Sequence, residues 1–304
     1  MVSSRRPLHA PWVDPRVEFV AIDFLAPVEE IIAQLKPICA PVTHAYFASY
    51  VHDDDFHILG DKEVPQFRNS MDVVDTVCPV LQRVSLQTGG KYYGVHLGPV
   101  KVPLDESFPQ YDDQGYNFYY NQEDYLREVQ TRRRCWSYNV IRPSAINGYA
   151  PHANGMSEAL TVAIYMLICR ELAQPATFLG NEYFWNSIDD NSYAPSFGGS
   201  DGLGFDAGPL QGPGAPEPNF ETAKRQAKTL RKEIDMLEWA KDKQEVWDSG
   251  KAEACSWGTW GFFDGATGKP RLTFSSINRQ GSMTFRSFEN ARVLPSHKAL
   301  TGRK

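Results

Sequence analysis

The sequence predicts an α/β fold, with a parallel sheet and helices on both its faces over residues 1–150 and a smaller, irregular region over 151–304. Three observations predict it. Apolar runs alternate with helical patterns through the first 150 residues. The runs are short and nearly continuous, as in strands buried on both faces. The spacing between them leaves room for a helix each time, which is the rhythm of strand–helix–strand units. In such a sheet ligands bind at the carboxyl ends of the strands.

The elements follow in order. Val17 to Asp23 reads as a strand ending in a carboxylate. Val28 to Leu35 is a short helix that Pro37 is expected to stop. Thr43 to Tyr50 is a second strand, expected to be buried on both faces. Phe67, Met71, Val74 and Val77 mark one face of a helix. Arg83 to Thr88 is a third strand, ended by Gly89-Gly90, a helix runs from near Asn117 to about Arg134, and Trp136 to Pro143 is a fourth strand. Beyond residue 190 the character changes. Residues 197–220 hold seven glycines and four prolines without periodicity. Glu221 to Trp247 reads as a charged surface helix, and Trp257, Trp260, Phe262 and Phe263 as packing aromatics.

Composition narrows the function. Hydrophobic residues make up 42% and charged residues 22% of the 304, enough for a full core and too apolar for wholesale disorder. A net charge of −6 argues against a nucleic-acid binder, which carries a basic face. The longest apolar run, Ala159–Cys169, falls well short of the roughly 20 residues of a membrane span and predicts a buried helix. The first residues lack the apolar stretch of a secretory signal. The five cysteines lie at least 34 positions apart, which fits neither a disulfide framework nor a zinc site. A reduced, cytoplasmic protein follows, with a small-molecule substrate and no nucleic-acid or membrane partner.

Three segments bear chemistry. Leu86-Gln87-Thr88-Gly89-Gly90-Lys91-Tyr92-Tyr93-Gly94 follows a core strand and brings a lysine to the sheet edge. Asn117-Phe118-Tyr119-Tyr120-Asn121-Gln122-Glu123-Asp124 opens a helix whose first turn points back over that edge. Val140-Ile141-Arg142-Pro143-Ser144-Ala145-Ile146-Asn147-Gly148 runs from a strand into a loop there. A phenol titrates near ~10, and a nearby ammonium lowers that value toward the working range. A Tyr–Lys pair therefore stabilises an oxygen that gains charge as hydride reaches carbon. His52-Asp53-Asp54-Asp55-Phe56-His57 has metal-ligand residue types but no distant partner, and is expected to be a solvated loop, with no metal site. Arg132-Arg133-Arg134 suits a helix C-terminus.

In order and spacing the three segments resemble the progesterone 5β-reductase/iridoid synthase-like group, or PRISE, atypical extended short-chain dehydrogenases/reductases with a Rossmann-like sheet. Residues 87–94 are similar to the motif Thr-Gly-x-Lys-His-Tyr-x-Gly, with Tyr92 in place of His. Asn117-Phe118-Tyr119-Tyr120 followed by Glu123-Asp124 matches Asn-Phe-Tyr-Tyr-x-x-Glu-Asp, and Trp136 to Gly148 resembles Trp-Ser-x-x-Arg-Pro-x-x-Ile-x-Gly. The resemblance is good over about residues 3–190. It implies that Lys91 and Tyr119 are catalytic. It also implies that Arg5 and Arg6 clamp the 2′-phosphate of NADP, that Asp23 caps the adenine amino group, and that Thr43, Ser49, Ser85, Thr88, Pro143 and Ile146 line the dinucleotide groove.

The sequence departs from the pattern. If Arg5-Arg6 ends the family's second strand, its first strand and Gly-rich turn are absent. Indeed, no G-x-x-G-x-x-G occurs before residue 50. That turn holds the pyrophosphate, so NADP binding is expected to be weak or lost in this chain. Three readings stay open. The first is an NADP-dependent oxidoreductase acting on a small carbonyl or enone metabolite. The second is an epimerase of the same extended family. The third is a truncated, cofactor-free binding protein or inactive fragment. The nearest resemblance is to fungal members of secondary-metabolite (toxin) pathways, of the sirodesmin-cluster epimerase type.

Overall fold

The structure, a computed structural model, describes residues 1–5, 15–51, 56–95, 100–101, 104–111, 117–143, 145–148, 158–179, 191–193, 236–243 and 245. Strand β1 (Val2–Ser4) pairs in parallel with β2 (Phe19–Ala21), Val2 opposite Phe19. Helix α1 (Val28–Cys39) leads to β3 (His44–Phe47), and α2 (Phe56–Val77) leads to β4 (Arg83–Gln87). After a 3₁₀ turn at Gly90–Tyr93 come α3 (Phe118–Arg133) and β5 (Ser137–Ile141). Strands β3, β4 and β5 form one parallel sheet with β4 in the middle. A third parallel pair joins β6 (Ala145–Asn147) to β7 (Asn191–Tyr193), with α4 (Glu158–Glu171) between them in sequence, and α5 (Met236–Ala240) follows.

The main core lies between β3–β4–β5 and helices α1, α2 and α3. Val84 and Leu86 of β4 meet Ile31 and Leu35 of α1, Phe67 and Met71 of α2, and Leu126 and Val129 of α3 in one buried cluster. The helix face read from Phe67, Met71, Val74 and Val77 is the one that packs. Asn117 and Arg134 cap α3 at the ends the sequence indicated.

Four expectations change. Helix α1 runs through Pro37 to Cys39 rather than ending before it. Pro37 lies in the last turn, where it forfeits a single i→i−4 bond, and burial of Ile31, Leu35 and Cys39 along one face holds the helix past it. Strand β3 is not buried on both faces. Phe47 is buried while His44 and Tyr46 are exposed, because β3 is an edge strand of its ladder. Helix α4 is buried on one face, through Thr161, Ile164, Tyr165, Ile168 and Cys169, whereas Met166 and Leu167 are exposed. Phe56 and His57 belong to the first turn of α2 rather than to a loop, while residues 52–55 lie outside the described residues. So do residues 197–220, most of Glu221 to Trp247, Cys255 and the Trp257–Phe263 aromatics. The four described cysteines are free thiols. Among the described residues no helix is long and apolar enough to cross a membrane.

Candidate active site

The carboxyl end of β4 is the centre of the site. Thr88 N donates to Ile141 O at 2.8 Å and Gly90 N to Pro143 O at 3.0 Å. These two bonds carry the β4–β5 pairing past the strand ends and lay Gly89-Gly90 against the Arg142-Pro143 segment. A Cβ at Gly89 would meet the Tyr119 hydroxyl at 3.4 Å and Pro143 O at 3.8 Å. The phenol therefore stands directly over the strand end.

Asn117 ties the tyrosine helix to the lysine turn. Its Oδ1 accepts from Tyr119 N at 3.3 Å, the N-cap bond that satisfies one orphan donor of α3. Its Nδ2 donates to Lys91 O at 3.0 Å. The same carbonyl accepts from Gly94 N at 3.0 Å, with Gly94 in the left-handed region at φ 75°. One side chain thus fixes where Lys91 and Tyr119 begin relative to each other. Sequence reasoning gave Asn117 only as part of a motif. The available signal was an Asn at the N-cap position of a helix opening onto a sheet edge.

Tyr120 has a different task. Its hydroxyl donates to Tyr92 O at 2.5 Å, and its ring meets Tyr92 edge to face at 5.0 Å. Glu123, completely buried, takes a two-pronged bond from Arg142, with Nε to Oε1 at 3.1 Å and Nη2 to Oε2 at 2.7 Å. Arg142 also lies over the Tyr92 ring, 3.4 Å from its centroid. The Glu123 and Arg142 of the second and third motifs are thus one ion pair that locks α3 to the end of β5. Arg133, within the triple arginine, binds Asp75 Oδ1 at 3.0 Å, as a structural cation would.

Burial governs the protonation of the pair. The Tyr119 phenol is pushed up by burial, and further by Tyr50 and the Glu63 carboxylate. Burial lowers the Lys91 ammonium. The phenol of the chain alone is thus held protonated, not drawn toward phenolate as the Tyr–Lys pairing suggested.

The cofactor positions divide. Arg5, Asp23, Ser49, Thr88 and Pro143 follow the carboxyl ends of β1, β2, β3, β4 and β5. Arg5 and Asp23 are exposed, and the Leu25 N–H holds Asp23 Oδ1 at 2.9 Å. Ser85 is mid-strand, in a row with Tyr46 and Asn139. Thr43 falls at the opposite edge. It precedes β3, and its carbonyl accepts from Gln82 N and Arg83 N at the start of β4. At about 3.3 Å per residue it lies roughly 13 Å from the carboxyl end, so it does not line a groove there. Ile146 is half-buried in β6, and Arg6 lies outside the described residues.

A parallel sheet with a tyrosine, a lysine and polar residues gathered at its carboxyl edge defines a dinucleotide-fold protein. The chain belongs to the PRISE-like Rossmann-fold domain family, whose model matches residues 7–194. It is 37% identical over 274 residues to the short chain dehydrogenase gsfE of Penicillium aethiopicum, covering 82% of this chain and 72% of that one. It is 28% identical to an (S)-8-oxocitronellyl enol synthase of Antirrhinum majus, over 64% of this chain and 51% of the relative. It is 28% identical to the short chain dehydrogenase sirQ of Leptosphaeria maculans, over 55% and 46%. The chain thus spans about half the length of the last two.

Proposed function

We propose that this chain is an NADP-dependent oxidoreductase of the extended short-chain dehydrogenase/reductase type, acting on a small carbonyl or enone metabolite of fungal secondary metabolism. The observation that carries the reading is the Tyr119 hydroxyl held over Gly89 at the end of β4, with the Lys91 turn tied to the same helix start by Asn117. The fungal relatives named short chain dehydrogenase support the class. The plant relative named an enol synthase supports a substrate whose oxygen gains charge.

Five of the proposed contacts follow five strand ends, a placement that fits a nicotinamide dinucleotide, while residues 1–50 hold no Gly-rich turn for its pyrophosphate, so the affinity is expected to be weak. Arg5 would meet the 2′-phosphate through its guanidinium, Asp23 the adenine, and Ser49, Thr88 and Pro143 the groove between. When bound, the cofactor supplies the hydride. The chain's own part is to stabilise the oxygen left negative. Tyr119, kept protonated by burial, donates its O–H to that oxygen. The Lys91 ammonium favours the phenolate that remains.

Oxidation of NADPH by the full chain, followed over a panel of small enones and aldehydes, tests this. We expect turnover that falls roughly 100- to 1000-fold in Tyr119→Phe, and an Arg5→Ala variant that loses NADPH affinity more than NADH affinity. Undiminished turnover in Tyr119→Phe would take the phenol out of the reaction.

A further inference from the structure

Two buried oxygens on α2 have no hydrogen-bond partner, Glu63 Oε2 and Gln66 Oε1. Both residues are buried, Glu63 completely. They are three residues apart and so share one face of the helix. Their other polar atoms are engaged. Glu63 Oε1 accepts the Val51 N–H, and Gln66 Nε2 donates to Ser49 Oγ at 2.6 Å.

That stretch of α2 meets the first turn of α3. Gln122 Nε2 donates to Glu63 O at 3.2 Å, and a Cβ at Gly60 would lie 3.9 Å from Phe118 Cβ. Tyr119 precedes Gln122 by three residues and shares its face of α3. Tyr50, beyond β3, brings its ring to 6.4 Å from Phe118. The titratable group that senses Glu63 is Tyr119 of α3, and Tyr50, from the segment after β3, acts on the same phenol. Glu123, the nearby carboxylate of α3, is closed by Arg142 and Arg127. No ion pair reaches Glu63 among the described residues. A buried carboxylate without a cation favours its neutral form, and burial raises this one to about 7 against the single opposing bond from Val51. A proton on Oε2 turns one orphan acceptor into a donor, with Gln66 Oε1 an acceptor one turn along the helix.

We propose that Glu63 is a second ionisable centre of the Tyr119 site, a fully buried carboxyl with an unpartnered oxygen and, among the described residues, no cation, whose charge sets how readily the phenol releases its proton. It is a positioning residue acting through Tyr119, and only its relevance to turnover rests on the oxidoreductase reading. As pH rises and Glu63 ionises, its charge makes the phenol a weaker acid.

The test is NMR on the full chain carrying ¹³C at glutamate Cδ and tyrosine Cζ. We expect one glutamate to titrate near neutrality and to be missing in Glu63→Gln. The Tyr119 resonance, assigned by its loss in Tyr119→Phe, should step at the same midpoint, lose that step in Glu63→Gln and regain one in Glu63→Asp. If Glu63→Gln does not fold, the wild-type midpoints alone decide. All glutamates titrating in the ordinary range near ~4.3, or a Tyr119 step that persists in Glu63→Gln, would overturn the proposal. No readout needs cofactor or turnover. An inactive chain therefore sinks the oxidoreductase reading alone, and an uncoupled Tyr119 sinks this one alone.

Discussion

Tyr119 and Tyr120 are neighbours in sequence and differ in task, because successive helical residues point about 100° apart. The Tyr120 hydroxyl is spent on Tyr92 O inside the core. Tyr120→Phe should therefore cost about 1–2 kcal/mol in urea unfolding. Tyr119→Phe should stay within about 0.5 kcal/mol, because its hydroxyl stands over Gly89 at the sheet edge. The reverse pattern would exchange the two roles. Glu123 offers a second comparison. Arg142→Met leaves a completely buried carboxylate with Arg127 as its remaining cation, and should cost about 3–5 kcal/mol. Arg127 is much more exposed, with 38% of its side chain open against 13% for Arg142, so Arg127→Met should cost less than about 1 kcal/mol. Equal losses in the same unfolding assay would show that the two arginines share the charge evenly.

At the scale of elements, the join between the 3₁₀ turn and α3 rests on Asn117, which caps one and tethers the other. Asn117→Ala removes both bonds and should cost about 2 kcal/mol. Asn117→Asp keeps the cap acceptor, loses the donor to Lys91 O, and should fall between wild type and Ala in thermal melting. An Asp variant as unstable as Ala would place the whole effect in the tether. This join was legible beforehand in part. An Asn before Phe118-Tyr119-Tyr120 marks a helix start from local chemistry alone, and Gly89-Gly90 marks a strand end the same way. What local pattern could not give depends on pairing. Thr43 opens the apolar run that Ser49 closes, so chain direction alone sets the two at opposite edges, and the parallel pairing of β3 with β4, His44 opposite Arg83, marks the Ser49 end as the carboxyl edge. Tyr46 reads as buried until β3 is found at the edge of its ladder. The helix past Pro37 depends likewise on packing against α2, a tertiary contact. Glu63 carries no sequence signal, since a glutamate on a helix is ordinarily a solvated residue and becomes unusual only when α3 closes over it.

At the scale of the whole molecule, burying ionisable groups at the join of α2, α3 and the sheet makes stability depend on pH. The Glu63 carboxyl rises from 4.5 to about 7 on folding. A carboxyl raised in the folded state loses its proton first in the unfolded chain as pH climbs. Between those two values the native state binds more protons, so stability falls as pH rises. The contribution is fully present below 4.5, declines across the window up to about 7, and is flat above it. At ~1.4 kcal/mol for each pH unit that separates the folded and unfolded values, the loss across the window is on the order of 3 kcal/mol. Glu63→Gln keeps the shape and the Val51 acceptor but cannot ionise. Urea midpoints for wild type and Glu63→Gln should therefore lie closest below the window and separate above it, with the variant the more stable. The protein's other carboxylates and its net charge of −6 act on both proteins alike, so the difference between the two isolates this one group. A gap that does not widen with pH would mean that Glu63 is already ionised in the native state at the low end, and that a cation or solvent reaches Oε2.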